Sequence, residues 1–238
     1  MKAENQSKRN RATKWICVAM LLFIFSLPIS VSHAADGDGE SLLLEVPFMT
    51  QAPTFKWSND RFQSGCEEAS VLMALAWAGV QPLAKTRERQ ERAILDLVRF
   101  EKEKYSVYYD TSTQDTIRFA SEYSGFKGFS LQRNIGWRDI LRSLEKGFLV
   151  IVPADGRVLQ NPNFKGRGPQ EHMLVIRGYD YTTQEFITND PGTRMGEKYR
   201  YHRKVLFAAI RDYKTGHKEK GRPRTKSMIV AAKEAKKH

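Results

Sequence analysis

Apolar and polar positions first fall into a structural pattern at residue 42. Residues 42–49 form a short extended segment that Pro47 confines to a sheet edge or a strand start. Residues 50–65 show neither a helical nor a strand period. They contain Pro53, Asn59, Asp60 and Gly65, which marks a loop. The period then changes over 67–78, where Ala69, Leu72, Met73, Ala76 and Trp77 recur on one helical stripe and Gly79 stands where a left-handed cap belongs. Three further helices are predicted. The first spans 85–104, with Ile94, Leu97, Val98 and Glu101 at helical spacing and a charged outer face. The second covers 114–123 and is ended by Gly125. The third covers 136–146, with Ile140, Leu141 and Leu144 inward and Gly147 after it.

The second half reads as sheet. Residues 148–153 are continuously apolar, the mark of a buried strand. Residues 155–170 hold three glycines and two prolines and are predicted to be an exposed loop beside the site. Strands at 172–179 and 185–188 flank a polar turn, 198–201 adds another strand, and 204–210 a last short helix. Helices followed by an antiparallel sheet give an α+β fold, with the helix at 67–78 packed on that sheet.

The ends differ from the body. Lys2, Lys8, Arg9, Arg11 and Lys14 precede an apolar run at 16–31 broken only by Ser26, Pro28 and Ser30, and Ser32, His33 and Ala34 follow. This is the pattern of a secretory signal removed after Ala34. It is too short and too interrupted by Pro28 to serve well as a membrane span. The expected organisation is a signal peptide at 1–34, a linker at 35–43, one domain at 44–212 and a basic extension at 213–238. An exported protein, periplasmic or extracellular, is the corresponding expectation.

The net charge of +12 divides unevenly. Residues 1–34 carry +4 and residues 214–238 carry +7, which leaves +1 for the body. The tail therefore reads as a solvated extension that can meet anionic envelope polymers or lipid head groups by simple electrostatics. The body has no basic stripe, so nucleic-acid binding is not expected. No solenoid repeat is present, and no His, Cys and acid residues have metal-ligand spacing, so neither metal nor other cofactor is expected.

Cysteine usage supplies the candidate chemistry. Once the signal carrying Cys17 is gone, Cys66 is the single thiol and has no internal disulfide partner. It is either an inert buried side chain or a nucleophile. Gly65 and Cys66 stand at the junction of a loop and the clearest helix, where the helix dipole and unpaired N–H groups favour thiolate. Glu67 and Glu68 read as ordinary first-turn acids that oppose ionisation slightly if they face inward.

His172 and Asp190 complete a set. If 173–179 and 185–189 form a hairpin, a three-residue turn sets 172 opposite 190. A five-residue turn sets 172 opposite 192 and leaves 190 diagonal on the same face. A turn of even length would separate the two. In this arrangement His172 is the base and later the acid, and Asp190 holds its tautomer. Asp180 is the alternative acid, but it sits at the far end of the hairpin, and His202 reads as a surface residue. An oxyanion needs the N–H of Cys66 and a side-chain amide from the preceding loop. Gln51 is preferred over Gln63, which lies only three residues before the thiol.

These residues resemble the bacteriocin-processing, double-glycine-leader cysteine peptidases and in particular their stand-alone relatives. The resemblance rests on Val46-Pro47-Phe48-Met49-Thr50-Gln51, on Gly65-Cys66-Glu67-Glu68-Ala69-Ser70, and on Gly136-Trp137-Arg138-Asp139-Ile140 followed by Phe148-Leu149-Val150-Ile151-Val152. It continues in His172-Met173-Leu174-Val175-Ile176-Arg177-Gly178-Tyr179-Asp180 and Asn189-Asp190-Pro191-Gly192. Four motifs thus occur in the family's order between about residues 44 and 212. The resemblance implies a papain-like fold, with the glutamine as oxyanion donor. Members fused to a transporter cut leaders at the cytosolic face, whereas no apolar run here is of membrane length and the chain is expected to leave the cytosol, so leader processing is not expected. Peptide-bond hydrolysis with a peptide or protein substrate is the leading expectation. Two alternatives stand beside it: another thiol-dependent acyl transfer (amidase, deamidase or peptide crosslinking), and a non-catalytic peptide-binding module.

Overall fold

A computed structural model of the chain describes residues 41–216 and 225–235. The expected signal at 1–34, most of the linker at 35–43 and residues 217–224 and 236–238 of the basic tail lie outside the described residues. Within the former linker, Ser41–Leu43 is a strand, β1, and a short helix α1 (Asp60–Gln63) interrupts the loop that follows. The helical half continues with α2 (Cys66–Ala78), α3 (Arg87–Tyr105) and α4 (Thr113–Ser124). Next come β2 (Phe129–Arg133), α5 (Trp137–Glu145), β3 (Leu149–Ala154) and α6 (Gly156–Leu159). The chain closes with β4 (His172–Asp180), β5 (Glu185–Asn189), β6 (Tyr199–His202), α7 (Arg203–Ala209) and β7 (Ser227–Ala231).

The sheet runs β2-β7-β3-β4-β5-β6, with β1 added to β4, and every pairing is antiparallel. Both faces are covered, so the central strands are apolar throughout and the period of two distributes their side chains between two cores. Leu149, Ile151, Met173, Val175, Ile229 and Ala231 join the core of α2, α3 and α4. Their neighbours Val150, Val152, Leu174, Ile176, Met228 and Val230 join the opposite core with α5, α6 and α7. Among the described residues no helix is long and apolar enough to cross a membrane.

Helix α2 is not the half-buried stripe expected from its period. All but Ala76 of its side chains are buried, because the helix lies between β4 on one side and α3 and α4 on the other. A helix buried on all sides is a central one. Gly79 does cap it in the left-handed region, with φ 89°.

The domain does not end at residue 212. Residues Ser227–Ala231, assigned to a solvated extension, form β7 between β2 and β3, buried along their whole length. A five-residue apolar run has the length of a buried strand, but the lysines around it dominate the charge pattern. Those lysines serve the fold. Lys226 donates to the carbonyl of Ile210 at 2.8 Å and Lys233 to the carbonyl of Trp77, so each ties the strand to the C-terminal end of a helix. Strand β2 escapes the pattern for the opposite reason: it lies at the end of the sheet and only Phe129 is buried.

Candidate active site

Cys66 is the first residue of α2 and Gly65 its N-cap, with no side chain to accept from the first-turn N–H groups. The position is the one the sequence indicates, but the electrostatics differ. The sulfur is buried, and Sγ donates to Glu67 Oε2 at 3.0 Å rather than to His172. Burial first, then the charge of Glu67, push the thiol well above its ordinary value, so the helix terminus does not yield a resting thiolate. Glu67 is itself held in place, since Tyr213 donates its hydroxyl to Oε1 at 2.7 Å. Burial and the charge of Asp110 raise the Glu67 carboxyl to about 7.

The histidine and its acid meet as the hairpin argument requires, by a different route. Asp180 pairs with Glu185, so the turn holds the four residues 181–184, an even number that alone would put 172 and 190 on different faces. A β-bulge restores the parity. Gly178 pairs with Ile187 but Ile176 with Thr188, which leaves Arg177 as the extra residue. Past the bulge the register is the one a five-residue turn would give. Arg177 is pinned there, donating to the carbonyls of Leu44 and Val46 at 3.0 Å and to Asn189 Oδ1 at 3.3 Å. At Gly178 a side chain would strike the carbonyl of Leu42 on β1 at 2.3 Å, so only glycine lets β1 approach.

His172 Nε2 lies 2.8 Å from Asp190 Oδ1, with both side chains buried. Asp190 also accepts from Tyr201 at 2.6 Å and from the N–H of Gly192 at 2.9 Å, and Asn161 donates to the Tyr201 hydroxyl at 2.7 Å. Burial alone would raise the Asp190 carboxyl. His172, Tyr201 and the Gly192 N–H outweigh it and hold the group below the ordinary carboxylate range. An ionised Asp190 accepts only, so Nε2 carries the ring proton and Nδ1 keeps its lone pair. Asp180 is engaged elsewhere, with Arg200 at 2.7 Å. His202 caps α7 through the N–H of Lys204.

Gln51 lies beside the nucleophile. Its carbonyl oxygen and Cβ stand 3.5 and 3.6 Å from a Cβ built on Gly65, and its N–H donates to Pro191, next to Asp190, at 3.0 Å. Its amide, however, donates to the carbonyls of Phe62 at 2.8 Å and Gln63 at 2.9 Å, and Oε1 is buried without a partner. Gln63 contributes its backbone only.

The segment expected as an exposed loop folds over the site. Phe164 is buried and meets the His172 ring edge to face at 5.3 Å. A cleft of about 1020 Å³ opens above it, lined by Gln51, Trp57, Phe164 and Gly192 among others. A side chain at Gly192 would meet His172 Cε1 at 2.8 Å and Phe164 Cε1 at 3.0 Å, so glycine keeps the cleft open beside the imidazole. Among the described residues no cluster could hold a metal ion.

Sequence reasoning missed Glu67 as a partner of the thiol, and Tyr201, Asn161 and Tyr213 altogether. Tyr201, at the end of an alternating strand, carried a usable signal. The others are fixed by tertiary contact alone. Glu67 belongs to a buried acidic group with Glu68 and Glu101, the latter raised to about 9 by burial and then by Glu67. Carboxyls whose folded values exceed their ordinary ones contribute stability that is complete below pH 4.5 and lost as pH rises through about 7 and 9. Thermal unfolding should therefore show Tm falling between pH 5 and 9. In Glu101→Gln that slope should flatten, with a gain of about 2 kcal/mol at pH 9, or roughly 4–8 °C. An unchanged slope would show that Glu101 does not bind a proton on folding.

An α+β fold that places a helix-borne cysteine against a sheet carrying a buried histidine–aspartate pair is the papain-like class of thiol enzyme architecture. The sequence profile of the Peptidase_C39 like family matches residues 43–219, and the chain belongs to that family; it is a cysteine-peptidase-like protein. A similar solved structure is a C39-like peptidase from Bacillus anthracis, 15% identical, with a TM-score of 0.47 over 83% of this chain and 100% of that one. No curated protein matches the chain.

Proposed function

We propose that this protein is an exported cysteine peptidase, with Cys66 as nucleophile, His172 as base and acid, and Asp190 as orienting carboxylate. The observation that carries the reading is the buried line Asn161–Tyr201–Asp190–His172. It commits Nε2 and leaves Nδ1 as the basic nitrogen, and a histidine serving only to pack would need no such line.

The chemistry follows from the residues. Nδ1 takes the thiol proton as Sγ bonds to the substrate carbonyl carbon and the carbonyl π pair moves onto oxygen. The N–H of Cys66 stabilises that oxygen, joined by the Gln51 amide once it turns from Phe62 and Gln63. Collapse breaks the C–N bond, and the amine leaves with the proton from His172. Water deprotonated by the same imidazole cleaves the thioester and restores the thiol.

Export is supported by the basic-then-apolar pattern of 1–34. The buried thiol supports a second reading, a peptide-binding module without turnover. Acid-quenched incubation with a peptide mixture, followed by intact mass spectrometry, separates them. Hydrolysis should give an acyl adduct on Cys66, absent from Cys66→Ala, and free carboxyl and amine products. Binding with neither adduct nor products would leave only the module, and ammonia or joined peptides would reveal another acyl transfer. The same spectra read whether residues 1–34 have been removed.

A further inference from the structure

We infer that the cleft above His172 selects peptides carrying acidic side chains, an inference that deepens the peptidase reading and rests on it for turnover, though not for binding. The body of the chain has a nearly balanced charge, yet the walls around the cleft do not. The cleft is lined by Lys165 and Arg194 and by no Asp or Glu. A second hollow of about 540 Å³ shares Arg194 and Met195 with it, adds Lys85 and Arg87, and again has no acid in its lining. None of these four cations makes an ion pair among the described residues. The two hollows adjoin at Arg194 and Met195, so they offer one trough with four positive charges, whose inner end is lined by Phe164 and Gly192 beside the imidazole.

Two of the charges are held in position. The Arg87 guanidinium carbon lies 4.5 Å and that of Arg194 5.0 Å from the centroid of the same ring, Phe55. Two like charges gathered about one ring repel each other, and the ring quadrupole offsets only part of that repulsion. A carboxylate near both offsets it and gains charge-assisted hydrogen bonds. Phe55 itself is a costly platform. It is a bulky residue at φ 65°, in the left-handed region, and it remains 39% exposed. Arg87 also opens α3, where the helix dipole disfavours a cation. The guanidinium repulsion and the cation at the helix start are both offset when an anion lies in the trough. Inorganic anions match the charge but not the trough's length or its apolar walls at Trp57, Phe55 and Met195, so the occupant is an extended peptide with Asp or Glu side chains.

The test uses the full protein and two arms. In the first, fluorogenic peptides matched in length and apolar content but carrying glutamate or glutamine are compared by kcat/KM. The wild type should prefer the acidic peptide, and the double variant Arg87→Gln/Arg194→Gln should lose about tenfold of that ratio. Arg138→Gln, an exposed cation on α5, should keep the ratio. In the second arm, fluorescence anisotropy measures binding of the labelled acidic peptide to Cys66→Ala. Binding should weaken about tenfold when the two arginine changes are added and should fall with salt. A ratio and an affinity both indifferent to the arginines overturn the inference, as does inorganic polyphosphate binding more tightly than the peptide. If the protein shows charge-selective binding and no turnover, the trough stands and the peptidase reading fails.

Discussion

Asp190→Asn should lower kcat/KM for peptide hydrolysis by about 10⁴-fold, while the protein remains folded. The change conserves volume but puts an amide where an ionised acceptor now serves three donors: His172 Nε2, the Tyr201 hydroxyl and the Gly192 N–H. An amide presents one oxygen. If it accepts from Tyr201, its NH₂ takes the place of Oδ1, meets the Gly192 N–H as a second donor, and faces Nε2, forcing the proton onto Nδ1, the nitrogen that must receive the thiol's hydrogen. If the oxygen faces His172, the tyrosine hydroxyl is stranded in a buried setting. The measurement is steady-state hydrolysis beside a thermal melt. A loss below tenfold with an unchanged melt would mean that Asp190 is a structural acceptor and that the imidazole is not the base.

Glu67→Gln should act in the opposite direction on the thiol. In the native protein the Cys66 proton is shared with a neighbouring buried carboxylate, and burial and that charge both oppose ionisation. Removing the charge leaves burial and the helix terminus, and an amide N–H now faces the sulfur. Alkylation of Cys66 by iodoacetamide at pH 7 should accelerate roughly tenfold. The wild-type pH–rate profile should bend near pH 7, where Glu67 titrates, and the variant's should not. Local opening over the site affects both proteins alike, so the ratio reports ionisation. Equal rates would mean that Glu67 does not control the thiol.

How much of this was legible in the sequence depends on what each feature answers to. Helices with a period and a cap were readable: Gly79 and Gly125 stand at left-handed positions because the periodic run before each stops there. The buried strand β3 announced itself by unbroken apolarity. Strand β7 has the same signature at shorter length, but its flanking lysines, seen as solvated charge, are ties to helix ends. The cysteine, histidine and aspartate were singled out from residue type and spacing, and the meeting of His172 with Asp190 depends on a hairpin whose turn length was misjudged. A bulge leaves no mark in composition. Glu67 shows the limit most clearly. Its place in a first turn favours a solvated acid, and only tertiary packing that brings Tyr213 onto its carboxyl holds it inward.

The extra residue at 177 carries a consequence for the integrity of the whole chain. Its guanidinium grips the carbonyls of Leu44 and Val46, so the phase of the His172 hairpin is set by the segment that follows β1 and not by the turn beside it. That stretch behaves as a latch. Proteolytic trimming upstream of it leaves the machinery aligned, whereas a nick between residues 44 and 50 would release Arg177, let the strand slide by one position, and carry His172 away from Asp190 together with the tether to Gln51.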